Sequence, residues 1–434
     1  MNLHEKFIQH INEKGLELVP LLETKSVKIE RTGEEFGSLA AKRTVDLTDK
    51  IIDGEIKQAK VDDKGIKVET WIQKDENFIG FGKENYQKFK AFVKGIHNQR
   101  EIKRLVHESF LEKEIFQWLC VVSDQGKINE ILSSMLVRRI EESIEFRTYC
   151  FPISNLIIHQ PFNIGDVTIK FFTSDDLKNI HEVFQKKFEG TVVACVDIQA
   201  EPNLGKEIAL EKCSLAIDLL KIYSRTLSNP EKTIDFDIDV RTKIIDQASI
   251  ISHPVGVISP INITMYSVPT QTYLQPQDFE FMNDFHLAEI IQFVNSDDIR
   301  NELSNMLINA IRNFANALSV KDLHKRIADM FSVYESLLVP SKSAHILDSL
   351  KKYGPKLITP EIEERKEIKK RFVELYDVRC DLIHHGQYKD FELYDLARLQ
   401  FHLLCLILNL IQWSAESSTK SKVLSKIDEA IERA

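Results

Sequence analysis

Leu375-Tyr376-Asp377-Val378-Arg379-Cys380-Asp381-Leu382-Ile383-His384-His385-Gly386 closes a long helical run near the C-terminus of this 434-residue chain. Leu375, Val378, Leu382 and Ile383 recur at helical spacing, and Gly386 suits the left-handed residue that ends a helix. The string holds a permanent cation, Arg379, and a titratable imidazole, His384, five positions on. In an ideal helix these two lie about 140° apart around the axis and about 7.5 Å apart along it. They meet at one point only if the helix ends near His384 or if two copies converge across a symmetry axis.

Outward from this string the pattern is helical. One helix is expected through Leu303, Met306, Leu307, Ala310, Ile311, Phe314 and Leu318. A second runs through Leu323, Ile327, Met330, Phe331, Tyr334, Leu337 and Leu338 and stops at Val339-Pro340. A third begins near Glu361 and carries the Arg/His string, and a strongly apolar last helix spans about Phe391 to Ser414. Its longest apolar stretch, Leu403 to Ile411, is about half of what a bilayer span requires and reads as a buried helix.

Upstream the chain is mixed. Residues 1 to about 80 read mainly as strands and turns, from the alternation in Val27-Lys28-Ile29 and Gly65–Ile72 and the turn signals Asp53-Gly54 and Asp63-Lys64-Gly65. From about Asn85 to Phe146 the period is helical. Strand character returns from Cys150 to about Gln199, and a helix is expected over Glu207–Ser224. In Ile234–Val240 the alternation puts Asp235, Asp237 and Asp239 on one face, expected to meet water. Pro254, Pro260, Pro269 and Pro276 mark a loop-rich boundary. The fold class is therefore α+β. A mixed, β-rich and helical region spans residues 1–278, with an internal break near 149, and an all-α domain spans 279–434.

A formal charge of −9 argues against a protein that coats nucleic acid through bulk positive charge. The acidity sits in the first two-thirds, and the segment from about residue 291 is close to neutral, which permits a local basic cleft. Six scattered cysteines without a CxxC pair read as reduced, mostly buried thiols, and the N-terminus lacks a signal-peptide core. A cytoplasmic protein with no membrane partner is the expectation. No Walker-A loop, dinucleotide fingerprint, HExxH or GxSxG string occurs, and no histidine has metal-ligand spacing, so neither a cofactor nor a metal is expected.

Arg379 and His384 carry the chemistry that metal-free RNA cleavage needs. Imidazole, with a reference pKa near 6.5, can take the proton of a ribose 2′-hydroxyl or return one to a leaving oxygen. A guanidinium can hold two phosphate oxygens as a fork and stabilise the pentavalent charge. An arginine and a histidine at a helix end also complement the helix dipole, so the surrounding pattern has to decide.

That pattern resembles a known family. Arg379-(four residues)-His384 is similar to the R-x(4–6)-H motif of HEPN-superfamily ribonucleases. Leu375–Arg379 followed by Leu382-Ile383-His384 and a nearby glycine resembles the Apea-like branch. Tyr334-Glu335-Ser336-Leu337-Leu338 resembles the acidic stretch that precedes the motif there. The resemblance covers about Phe279 to Trp413 and extends weakly upstream into Pro152–Val167.

It implies a helical-bundle fold, a homodimer that joins two motifs into one composite site, and metal-independent endoribonuclease activity on RNA, a transfer or messenger RNA. It also implies a toxin role in antiviral, abortive-infection defence, set off by a phage-derived or partner-protein trigger. Residues 1–278 would then be the sensor or regulatory region. Arg379 and His384 are the implied catalytic pair, with Asp381, His385 and Glu335 as possible support. Two departures stand out: Cys380 occupies a place that is commonly polar, and His384 and His385 are doubled. The alternative is a catalytically inactive HEPN-fold dimerisation or nucleotide- or RNA-binding protein.

Lys351-Lys352-Tyr353-Gly354-Pro355-Lys356 reads as a basic loop, with Lys351, Lys352 and Lys356 suited to RNA backbone contact. Lys366, Lys369, Lys370 and Arg371 are interleaved with glutamates and read as a solvated, ion-paired helix face.

Overall fold

The computed structural model describes residues 3–26, 50–52, 55–61, 67–74, 77–178, 182–232, 234–239, 248–252, 262–266, 272–274, 276–295 and 301–432. About 63% is helical and 14% strand, with the strands toward the N-terminus, so the chain is α+β. Val27-Lys28-Ile29, the turns at Asp53-Gly54 and Asp63-Lys64-Gly65, and Pro254, Pro260 and Pro269 lie outside the described residues.

The chain divides into two compact units, Met1–Arg147 with Ile198–Ile208, and Thr148–Asp197 with Ala209–Ala434. The division falls beside the internal break suggested near 149, whereas residue 279 lies within the second unit.

The first unit opens with helix α1 (Glu5–Leu18) where the sequence reading expects strands and turns. Gly15 looks like a breaker, but a Cβ there would stand 2.5 Å from Leu132 Cδ2, so the glycine permits close helix packing. Five strands follow: β1 (Glu23–Ser26), β2 (Lys50–Ile52), β3 (Glu55–Val61), β4 (Lys67–Lys74) and β5 (Asn77–Phe81). They form one sheet in the order β1-β5-β4-β3-β2, each neighbouring pair antiparallel. Helices α2 (Lys83–His97), α3 (Arg100–Lys103), α4 (Glu108–Gln125) and α5 (Leu132–Ser143) bear out the helical period read over 85–146. Their apolar faces close a core in which Phe81 stacks on Phe89 at 5.0 Å beside Phe116.

Another five-stranded sheet, ordered β11-β6-β10-β9-β8, lies mostly in the second unit, with residues 145–147 of β6 and 198–200 of β10 counted in the first. Its strands are β6 (Glu145–Ser154), β8 (Phe162–Ile164), β9 (Val167–Phe171), β10 (Val192–Ala200) and β11 (Asp237–Ile238). Between them lie β7 (Leu156–Ile157), α6 (Ser174–Leu177), α7 (Glu182–Phe188) and α8 (Pro202–Ile222), whose residues 202–208 belong to the first unit. Beyond them, β12 (Ala248–Ser252) pairs antiparallel with β13 (Asn262–Tyr266), and β14 (Thr272–Tyr273) pairs parallel with β7.

Two sequence expectations are corrected here. Cys150 and Cys195, on neighbouring strands β6 and β10 with Cα atoms 4.2 Å apart, form a disulfide rather than two separate thiols. Asp235 does not face water. It is 4% exposed between the equally buried Ile234 and Phe236, and Lys321 pairs with it at 3.3 Å. Asp237 likewise pairs with the buried ammonium of Lys221 at 2.7 Å.

The rest of this unit is helical: α9 (Pro276–Asp284), α10 (Leu287–Asn295), α11 (Glu302–Leu318), α12 (Leu323–Leu338), α13 (Ile346–Ile358), α14 (Ile362–Cys380), α15 (Leu393–Ser414) and α16 (Lys420–Glu432). Leu307, Ile311 and Phe314 of α11, Ile327, Phe331 and Leu337 of α12, Phe372 and Leu375 of α14, and Leu399, Leu403 and Leu406 of α15 share one buried core. Among the described residues α15 alone has the length and apolar composition to cross a membrane, and half of its apolar window is buried inside the protein.

Helix α13 replaces the expected basic loop. Gly354 and Pro355 read as a turn, yet they sit inside the helix. A Cβ at Gly354 would meet Phe372 Cε2 at 2.6 Å, so the glycine lets α13 approach α14. Burial of Leu350, Tyr353, Leu357 and Ile358 outweighs the local turn preference.

Candidate active site at the end of helix α14

Helix α14 does not stop at Cys380. It continues as one π-helical turn over Asp381–His385 and ends at Gly386, whose φ of 63° and ψ of 23° are left-handed. The Gly386 amide donates to the carbonyls of Asp381 and Leu382, and the Gln387 amide donates to Asp381 at 3.1 Å, so these two carbonyls at the helix end are satisfied.

The π turn matters for the Arg/His spacing. Bonding from i to i+5 widens the helix and lowers the rotation per residue. Because the widening begins at Asp381, it turns His384 part of the way back toward the side that carries Arg379.

Arg379 is held from α12. Its Nη2 lies 3.2 Å from Glu335 Oε1, with the two side chains only 14% and 21% exposed. Its guanidinium carbon stands 5.2 Å from the Tyr376 ring centroid, a cation–π contact. The two helices are locked one turn earlier, where Phe331 meets Tyr376 edge-on at 5.3 Å and Tyr334 meets Phe372 at 5.0 Å. Lys420 of α16 donates to the carbonyls of Ser336 and Val339, securing the end of α12 beside Glu335.

The ion pair is close but unaligned. Arg379 Nε and Glu335 Oε1 are buried and make no hydrogen bond, so the pair leaves polar groups inside the protein unsatisfied. Burial raises the Glu335 pKa above the ordinary carboxylate value, and the Arg379 charge opposes that shift. Burial also raises the Tyr376 phenol, and the nearby Arg379 charge opposes that shift. Cys380, at the position where the resembled motif is commonly polar, is a free, half-buried thiol.

His384 and His385 are both exposed, with ring centroids 6.5 Å apart. Among the described residues neither imidazole has a hydrogen bond or an ion pair, so both are open to a substrate. Asp381 is 4.0 Å from the Lys389 ammonium, and Lys389 also bonds Asp377. Asp381 thus supports the loop after the motif rather than the guanidinium.

The structure brings Arg379 and Glu335 together and places both histidines at the exposed helix end. The three lysines are elsewhere, on α13. Lys351 pairs with Asp348 at 3.1 Å and Lys352 with Asp428 at 2.8 Å, while Lys356 is crowded by Arg365 and Lys369 and has a lowered pKa, chiefly from burial. Sequence reasoning missed Tyr388, Lys389 and His324, which fix the loop from Gly386 to Glu392. An aromatic and a lysine just after the terminal glycine were the only signal available.

No protein-family model matches this chain, and no curated protein or solved structure matches it either.

Proposed function

We propose that the second unit is a metal-independent endoribonuclease of the HEPN type and that its site is built on Arg379 and His384. The observation that supports this most is a recessed guanidinium, braced by Glu335, near a helix end that presents an unpartnered imidazole.

The reaction is transesterification. A neutral His384 takes the proton of a ribose 2′-hydroxyl, and O2′ forms a bond to the adjacent phosphorus. Arg379 holds the non-bridging oxygens as negative charge builds on them. The bond from phosphorus to O5′ breaks, and a protonated imidazole returns a proton to the leaving oxygen. The products are a 2′,3′-cyclic phosphate and a 5′-hydroxyl. One imidazole as base and another as acid are needed, and a homodimer contributing His384 from each copy meets that need.

The protein would act in the cytoplasm, where its RNA substrate is, as an abortive-infection toxin. The β-rich N-terminal region would hold it silent until a phage-derived or partner-protein trigger arrives. Incubating the full chain with RNA in EDTA, beside Arg379→Ala and His384→Ala, tests the chemistry. Cleavage that survives EDTA, leaves cyclic phosphate ends and vanishes in both variants is the expected result. If wild type leaves RNA intact both alone and in lysate from phage-infected cells, the ribonuclease reading fails and a non-enzymatic HEPN-like interaction domain takes its place.

A further inference from the structure

Tyr388 is 65% exposed, three residues beyond His385, yet its orientation is fixed. Its hydroxyl donates to Asp322 Oδ2 at 3.3 Å, and Asp322 is itself held as the N-cap of α12. His324 meets its ring at 4.8 Å with an interplanar angle of 79°, and the same imidazole meets Phe391 at 5.1 Å. His324 Nε2 lies 2.9 Å from the Lys389 carbonyl oxygen, as a donated hydrogen bond requires. The next side chain, Lys389, is tied back to Asp377 and Asp381 on α14. Together with the cap at Gly386, these contacts anchor the loop on both sides of the tyrosine.

An aromatic ring left mostly in water gains nothing from its own exposure. Pinning it also costs side-chain entropy. Here the ring is held by its hydroxyl and by one perpendicular neighbour, which covers little of the flat surface. The loop is short, so the ring stays within about one or two nucleotides of the histidines, at most ~3.5 Å per residue of chain.

We propose that Tyr388 is a stacking platform for an unpaired RNA base that flanks the phosphodiester held at Arg379 and His384. This inference rests on the ribonuclease reading of the same site and adds to it the recognition of single-stranded RNA. A flat π surface takes any base, so the platform positions the strand without reading its sequence. Paired bases are already stacked within a duplex and cannot cover it.

The test is binding of a fluorescent single-stranded RNA whose 2′-hydroxyls are methylated. Such a probe cannot be cleaved, so binding and chemistry are read separately. Full-length wild type, Tyr388→Phe and Tyr388→Leu are compared by anisotropy, with thermal melting and sedimentation of each. Tyr388→Leu should weaken binding roughly ten-fold, and Tyr388→Phe should stay close to wild type, because the ring stacks and the hydroxyl only aims it. Melting and oligomeric state should not change.

Equal binding by Tyr388→Leu and wild type overturns the platform, as does a wild type that does not bind. Equal loss in both variants also overturns it and assigns the effect to the Asp322 contact. A Tyr388→Leu protein with a lower oligomeric state would place the ring in an interface between copies. Tyr388-dependent binding without cleavage of unmodified RNA would sink the ribonuclease reading and leave the platform standing.

Discussion

Replacing Arg379 by alanine removes more than the cation of the proposed reaction. Glu335 would remain four-fifths buried with its charge uncompensated, on a helix whose aromatic contacts prevent it from swinging out. At 3.2 Å the gross attraction is about 5 kcal/mol with an effective dielectric near 20. Desolvation of both partners offsets much of that. Exposed pairs are worth about 0–1 kcal/mol, and breaking a fully buried pair costs about 3–5 kcal/mol. The geometry lies between these cases, so Arg379→Ala should lose about 1–3 kcal/mol. Arg379→Ala/Glu335→Gln should recover most of that loss, because the amide carries no charge to strand.

The loss should also depend on pH. The folded-state pKa of Glu335 is raised, so the folded protein binds the proton more readily than the unfolded chain. Stability tied to this group is then fully present below the unfolded pKa and is lost as pH rises through the folded value. Without Arg379 that fall steepens, and the deficit of Arg379→Ala should shrink on acidification toward pH ~4, where the carboxyl is neutral. Urea denaturation followed by far-UV circular dichroism at several pH values reads this directly. If Arg379→Ala matches wild type at neutral pH, or if its deficit is the same at every pH, the ion-pair reasoning is wrong. The practical consequence is that inactivity of Arg379→Ala has to be read beside the Arg379→Ala/Glu335→Gln protein.

The remaining expectations concern the helical core. His402 is 1% exposed, and burial, reinforced by the charges of Arg398 and Arg371, lowers its pKa to about 4. The unfolded chain therefore takes up that proton first, and stability should fall by about 3 kcal/mol as pH drops from ~6.5 to ~4. A His402→Phe protein with an unchanged acid limb in urea titrations would refute this. Gly386→Ala should cost about 1 kcal/mol through its positive φ alone, since nothing lies within 4 Å of the added Cβ; a loss in melting as large for Gly386→Asn as for Gly386→Ala would refute that cause. Arg326, fully buried, donates to the carbonyls of Val320 and Pro230. Arg326→Met should leave those acceptors unpaired and cost about 3 kcal/mol, and a variant with wild-type stability would show that they find other donors.

Much of the helical region was legible before any coordinates. Spacings of three and four located α11, α12, α14 and α15, the Val339-Pro340 pair ended α12, and Gly386 took the left-handed position expected of it. These features are local, because a repeating apolar face and a positive φ are properties of a few consecutive residues. Local rules failed where packing reversed a propensity. Gly15 and the Gly354-Pro355 pair signal breaks, but both glycines lie where a neighbouring side chain leaves no room for a Cβ.

By itself the sequence determined the candidate pair, Arg379 and His384, and the period of the helix that carries them. Only the tertiary structure decided what surrounds them. It set Glu335 against Arg379 across two helices, paired Cys150 with Cys195 across neighbouring strands, and pinned Tyr388 and Lys389 to residues far away or on another helix. Each of these depends on how elements distant in the chain are brought side by side, and burial of the shared apolar core makes that choice. The widened turn at Asp381–His385 belongs to both: its residues are local, yet its winding shifts His384 part of the way around the helix.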